Sequence, residues 1–235
     1  MANLAYKRVI IKLSGEALSG EAGRGIDNTV VSNIISQIKK IKELGVEVGI
    51  TVGGGNFWRG RQGAEMDRVT ADYMGMMATV INALALRDAF ERQGVPAMVM
   101  SSVNISKIAE PFETKRANKL LRDGTVLIFA CGTGNPFFTT DTGAALKAIE
   151  LEADVLLLAK NVDGIYTADP KKDKNAIKYT DISYMDFIRQ DLKAMDITAV
   201  SMCKENNMKV LAFALFEDNA LLRVINGEKI GTLIK

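Results

Sequence analysis

Thr125-Val126-Leu127-Ile128-Phe129-Ala130-Cys131 leads directly into Gly132-Thr133-Gly134-Asn135-Pro136-Phe137-Phe138-Thr139-Thr140-Asp141, and that into Thr142-Gly143-Ala144-Ala145-Leu146-Lys147-Ala148-Ile149-Glu150. The first seven residues are β-branched, aromatic and few, the pattern of a buried strand. The last nine are alanine-rich, and Asp141 stands where a helix cap belongs. Strand, glycine turn and helix in succession predict an α/β fold. Such a turn presents backbone N–H groups and the positive end of a helix dipole, which suits an anion. Its hydroxyls, its amide and its two rings extend the expectation to a nucleotide-sized ligand.

The same alternation runs outward in both directions. Strands are expected over residues 6–13, 46–52, 95–100, 125–131, 155–160, 210–216 and 221–225. Helices are expected over 29–44 (apolar at Val30, Ile34, Ile38 and Ile41), 66–93, 112–122, 141–151, 183–193 and 198–207. Short connections between such elements predict a single-domain, three-layer α/β/α sandwich around a central, mainly parallel sheet, spanning residues 1–235. No linker or internal repeat divides the chain.

Composition narrows the chemistry. At 235 residues, 48% hydrophobic and 25% charged, the chain can bury a substantial core. A net charge of +2, with both signs interspersed, gives no nucleic-acid footprint. No uninterrupted apolar run approaches about 18 residues, so a membrane span is not expected. Cys131 and Cys203 are too few for a disulfide framework or a cysteine zinc site; the expected setting is cytoplasmic. The chain has no histidine, which rules out a Ser-His-Asp triad and a Cys-His pair. Lysine, arginine, carboxylates, backbone dipoles and a bound metal remain, and phosphoryl transfer works with those.

Further turns follow other strands. Lys12-Leu13-Ser14-Gly15-Glu16-Ala17-Leu18 offers an ammonium and backbone donors at a strand end, where ligands of open α/β sheets bind; a plain β-turn is the alternative. Val52-Gly53-Gly54-Gly55-Asn56-Phe57-Trp58-Arg59-Gly60 gives a bare backbone and a fork-shaped phosphate clamp in Arg59. A flexible hinge is the alternative there, against which Phe57 and Trp58 argue. Asp72, in Asp72-Tyr73-Met74-Gly75-Met76-Met77, could hold a ribose or simply be solvated, and the methionines read as core or subunit-contact packing. Lys160-Asn161-Val162-Asp163-Gly164-Ile165-Tyr166-Thr167-Ala168-Asp169-Pro170 is a turn-rich loop with a flat tyrosine face, or a mere connection followed by a solvated lysine cluster at 171, 172 and 174. Neither GxxxxGK[ST] nor GxGxxG is present.

Taken in order, these five segments resemble the bacterial uridylate (UMP) kinase family of the amino acid kinase superfamily, over about residues 6–234. The resemblance implies transfer of the ATP γ-phosphate to UMP, with Mg²⁺ accompanying ATP, in pyrimidine nucleotide synthesis. It implies catalytic roles for Lys12, Arg59 and Asp141. ATP contacts fall on Lys12, Leu13, Ser14, Gly15, Gly55, Arg59, Tyr166 and Asp169, with Lys160 and Asn161 as alternatives at the start of the last loop. UMP contacts fall on Gly54, Asp72, Thr133, Gly134, Asn135, Pro136, Phe137, Phe138, Thr139 and Thr140. The segment Gly20-Glu21-Ala22-Gly23-Arg24-Gly25 matches one tied to GTP activation. A cytoplasmic homohexamer is implied, with UTP as a possible inhibitor and no dedicated protein metal cage. An amino acid kinase with another acceptor, and a non-catalytic storage protein of the same fold, are the rival readings.

Overall fold

The computed structural model describes residues 4–59, 65–170 and 172–235; Gly60, at the end of the second glycine turn, and Lys171, first of the lysine cluster, lie outside them. Strand β1 (Arg8–Leu13) is the centre of a nine-stranded sheet. To one side lie β2 (Glu47–Val52), β5 (Val126–Ala130), β3 (Ala97–Ser101) and β4 (Glu110–Pro111); to the other lie β6 (Val155–Lys160), β8 (Val210–Ala214), β9 (Thr232–Ile234) and β7 (Asp181–Ile182). Every neighbouring pair is parallel except β8 with β9. The chain builds one flank from β1 and then crosses to the other through β6. Beside β1, therefore, the connections diverge and leave a crevice at the carboxyl ends of the strands.

The pleat sorts side chains into two cores. Val9, Ile11 and Leu13 join Val48, Ile50 and Val52 beneath α1 (Asn28–Glu43), α2 (Arg68–Arg92) and α7 (Ala220–Ile225). Ile10, Leu127, Phe129, Leu156 and Leu158 pack under α3 (Thr114–Arg122), α4 (Thr140–Glu150), α5 (Tyr184–Arg189) and α6 (Ile197–Glu205). Each fully buried Ile or Leu stabilises this arrangement by roughly 1.5–3 kcal/mol. Period two also fixes the site: Lys12 lies two residues after Ile10, hence on the α4 face of the sheet.

Several expectations need correction. Residues 221–225 form not a strand but α7. The run Leu221-Leu222-Arg223-Val224-Ile225 is apolar but for Arg223 and too short for periodicity to separate the two; burial at Ala220, Leu221, Val224 and Ile225 follows the helical spacing. The helix expected over 183–193 ends at Arg189, and Asp191 turns left-handed at φ 51°. Strands β4 and β7 have two residues each, too short for any pattern to register. Helix α2 contains an 18-residue window of mean hydropathy 1.3, more apolar than its interrupted runs suggest. It is a core helix: Ala83, Leu86 and Phe90 are fully buried beside the sheet, and so is the amide of Asn82.

Candidate active site

The centre of the site follows from the register. Lys12 is the penultimate residue of β1, between Thr51 of β2 and Leu158 of β6, with α4 packed over that face. Its Nζ lies 2.8 Å from Asp141 Oδ1, and both side chains are largely buried. That oxygen has no well-directed hydrogen bond, so the contact is one of charge with charge. Asp141 is not the helix cap expected from the sequence. Thr139 takes that position, its hydroxyl accepting from Asp141 N–H and Thr142 N–H, which leaves the Asp141 carboxylate free to turn toward β1. Lys160, at the end of the adjacent strand, gives its ammonium to Ala194 O at 2.5 Å. Burial, and then repulsion from Lys12, lower its pKa below the ordinary lysine value, while Asp141 partly offsets this.

Two phosphate-sized turns meet above this pair. A Cβ on Gly15 would lie 2.4 Å from Asn56 Oδ1 and 2.6 Å from Gly55 N, so only glycine lets the first turn rest on the second. Gly53 N–H donates to Leu13 O at 2.9 Å, and Leu13 itself is fully buried, leaving only its backbone to face a ligand. Ser14 caps a short 3₁₀ turn through Ala17 N–H. A Cβ on Gly54 would meet Gly75 O and Ala78 Cβ at 2.7 Å, which presses this turn onto α2. The hinge alternative fails here, because Trp58 Nε1 donates to Ala71 O at 2.9 Å and pins the exit of the turn. Arg59 is half exposed and forms an ion pair with Glu16, a partner the sequence did not suggest.

The loop after β5 is anchored from α2. Asp72 is mostly buried rather than solvated; its Oδ2 accepts from Phe137 N–H at 2.8 Å and from Arg68 Nε at 2.8 Å. Phe137 is left-handed at φ 72°, and Cys131, at the start of the loop, at φ 65°. Such conformations cost of order 1–3 kcal/mol and persist only when neighbours hold them. Thr79 holds the second, its hydroxyl accepting from Cys131 N–H at 2.7 Å while donating to Met76 O. Thr133 and Asn135 brace each other across Gly134, whereas Phe137 and Phe138 project outward. Asp196, which caps α6, accepts from Thr139 and Thr142 and ties the far end of the loop.

Between these parts lies a cleft of about 280 Å³. Gly54, Gly55 and Arg59 line one end, Asp72, Thr133 and Phe138 the other, and Thr140 borders the Lys12–Asp141 pair. The loop after β6 stands beyond it: Tyr166 O–H donates to Asp163, which also pairs with Lys178 at 2.8 Å, and Asn161 and Asp169 are exposed. Lys172 and Lys174 are exposed as expected. The segment from Gly20 to Gly25 is a 3₁₀ turn (Gly20–Ala22) with Glu21, Ala22, Gly23 and Arg24 at the surface. Asn56, Thr79, Asn82 and Asp196 escaped the sequence reading. One usable signal was Asn82, a lone amide in the apolar run Val80-Ile81-Asn82-Ala83-Leu84.

Residues 7–213 match the family model described as the amino acid kinase family. The chain belongs to that family. Among solved structures, this amino acid kinase is similar to a UMP kinase from Bacillus anthracis, at 39% identity and TM-score 0.95, with 98% of this chain and 96% of that one covered. It is equally similar in sequence to a UMP kinase from Ureaplasma parvum, at 39% identity, TM-score 0.91 and coverage of 97% and 98%. A uridylate kinase from Archaeoglobus fulgidus stands further off, at 26% identity and TM-score 0.71, with 97% and 99% covered. All the cleft residues named above fall within the family match.

Proposed function

We propose that this chain transfers the γ-phosphate of ATP to UMP, giving UDP and ADP. The observation that carries the reading is the cleft, in which Gly54, Gly55 and Arg59 of the second glycine turn share one lining with Asp72, Thr133, Phe138 and Thr140, while the Lys12–Asp141 ion pair stands next to Thr140. Two polyanions placed end to end fit that shape. A phosphate oxygen of UMP is already an anionic nucleophile; it bonds to the γ-phosphorus as the bond to the β–γ bridging oxygen breaks and ADP leaves. No protein base is required. The protein holds the two ligands in line and offsets their repulsion with Lys12, Arg59 and the N–H groups of the turns. Asp141 keeps the Lys12 ammonium over the junction.

Among the described residues no group of three or more His, Cys, Asp or Glu forms a metal cage. Mg²⁺ would arrive on ATP, since this ion is commonly held by phosphates, water and one or two carboxylates, of which Asp141 is the candidate. Bound in that way, Mg²⁺ supplies neutralisation of phosphate charge. The unbroken sheet supports a single domain, and a cytoplasmic homohexamer activated by GTP and inhibited by UTP goes with the reading. Release of ADP that depends on UMP is the test, with a panel of amino acid and carbamate acceptors alongside. Turnover with another acceptor, or none with any, would sink the proposal.

A further inference from the structure

Asn56 and Asn82 are buried, at 4% and 0% exposure, and each carboxamide bonds the other: Asn56 Nδ2 to Asn82 Oδ1 at 2.9 Å, Asn82 Nδ2 to Asn56 Oδ1 at 2.7 Å. Their remaining N–H donors reach two backbone carbonyls outside the pair. Asn82 Nδ2 donates to Gly53 O at 2.7 Å, and Asn56 Nδ2 donates to Gly25 O at 2.7 Å. Gly25 N–H returns a bond to Asn56 O at 3.1 Å, and Asn56 Oδ1 is the atom that a Cβ on Gly15 would strike first. Every amide proton of the pair is thus used, and four segments converge on it: the Gly15 turn, the end of the Gly20–Gly25 segment, the Gly53–Gly55 turn and α2. A fully satisfied buried polar network of this kind specifies one geometry and resists small displacements.

We infer that the Asn56–Asn82 pair is a positioning device that locks the Gly53–Gly55 turn to the end of the 20–25 segment, so that a shift in either moves the other. Neither side chain lines the cleft, so both act through the backbone they hold. In its effector half the inference rests on the proposed GTP response of residues 20–25; the mechanical half stands without it. Thr79 and Asp72, on the same helix, hold the acceptor loop. Helix α2 is therefore the frame on which both halves of the cleft are hung.

The test compares wild type with Asn82→Leu, in which the donors to Gly53 O and Asn56 are gone but the volume is kept. Amide exchange read over residues 20–27 and 53–58 should quicken by about tenfold in both segments together. With UMP saturating, kcat should fall roughly tenfold or more, because misplacement by an ångström at the junction is costly, while KM for UMP moves far less. Faster exchange confined to 53–58, or unchanged kcat, would overturn the inference. Should Asn82→Leu fail to fold, Gly25→Ala strains the link from outside the core. Gly25 sits at φ +71° with nothing within 4 Å of an added Cβ. Its effect should appear at 53–58; confinement to 20–27 would again overturn the link. A GTP titration separates the two readings. No activation of wild type refutes the effector role and leaves exchange to judge the lock, whereas activation that survives in Asn82→Leu refutes the coupling.

Discussion

At the scale of single residues, Lys12 and Asp141 depend on one another. Removing either leaves a largely buried charge without its partner, a loss of about 3–5 kcal/mol when the pair is well shielded. Lys12→Met is expected to lower both the melting temperature and, by roughly 10²-fold or more, kcat. Adding Asp141→Asn should recover much of the stability and none of the turnover; thermal unfolding and ADP release in the same variants would show this. Asp72→Ala should raise KM for UMP by about tenfold, since it frees Phe137 N–H as well as removing a carboxylate from the cleft; steady-state kinetics over UMP would check it. Cys203 is buried and its thiol is pushed up to about 12, chiefly by desolvation. Because the folded state keeps this proton where the unfolded state loses it, the stabilisation is whole below about pH 9 and fades between there and about 12. Cys203→Ala should flatten the alkaline part of a stability–pH curve. Lys12 and Arg59 stood out in the sequence because charged residues beside strand-end turns announce themselves, whereas the meeting of Asp141 with Lys12 was hidden behind its expected role as a helix cap. Thr79 and Asn82 did not stand out, because their partners lie 52 and 26 residues away and only the fold brings them together.

At the scale of elements, α2 shows most clearly what a pattern can and cannot tell. Its length was plain in the sequence, but its two faces were not. Met76 is buried against the sheet, while Tyr73, Met74, Met77 and Ile81 form an exposed apolar strip on the other side. The homohexamer reading places that strip at a subunit contact. Met77→Glu with Ile81→Glu should then reduce the mass measured by light scattering, and an unchanged mass would remove this face from the interface. Strands β1, β2, β5, β6 and β8 were readable because a parallel strand buried on both faces is apolar throughout. A similar run hid α7, whose six residues are apolar but for Arg223 and too few to show a period. Strands β4 and β7 exist only because a neighbour offers them an edge, which local sequence does not record.

At the scale of the whole molecule, the order of strands puts every candidate turn on one edge of the sheet, and that edge was foreseeable once a parallel sheet was expected. What the fold adds is a balance of charge across the cleft. Lys12 is matched by Asp141, Arg59 by Glu16 and Arg68 by Asp72. The last two pairs are exposed at one partner or both and individually weak, so an incoming phosphate can displace Glu16 from Arg59 at little cost. Such a cleft works by exchange of one anion for another. Charges matched pair by pair cancel beyond about a Debye length, so these three pairs add little to the long-range steering of polyanions. Selectivity is thereby handed to shape: a small ligand must match several paired groups at once to replace the ions already there.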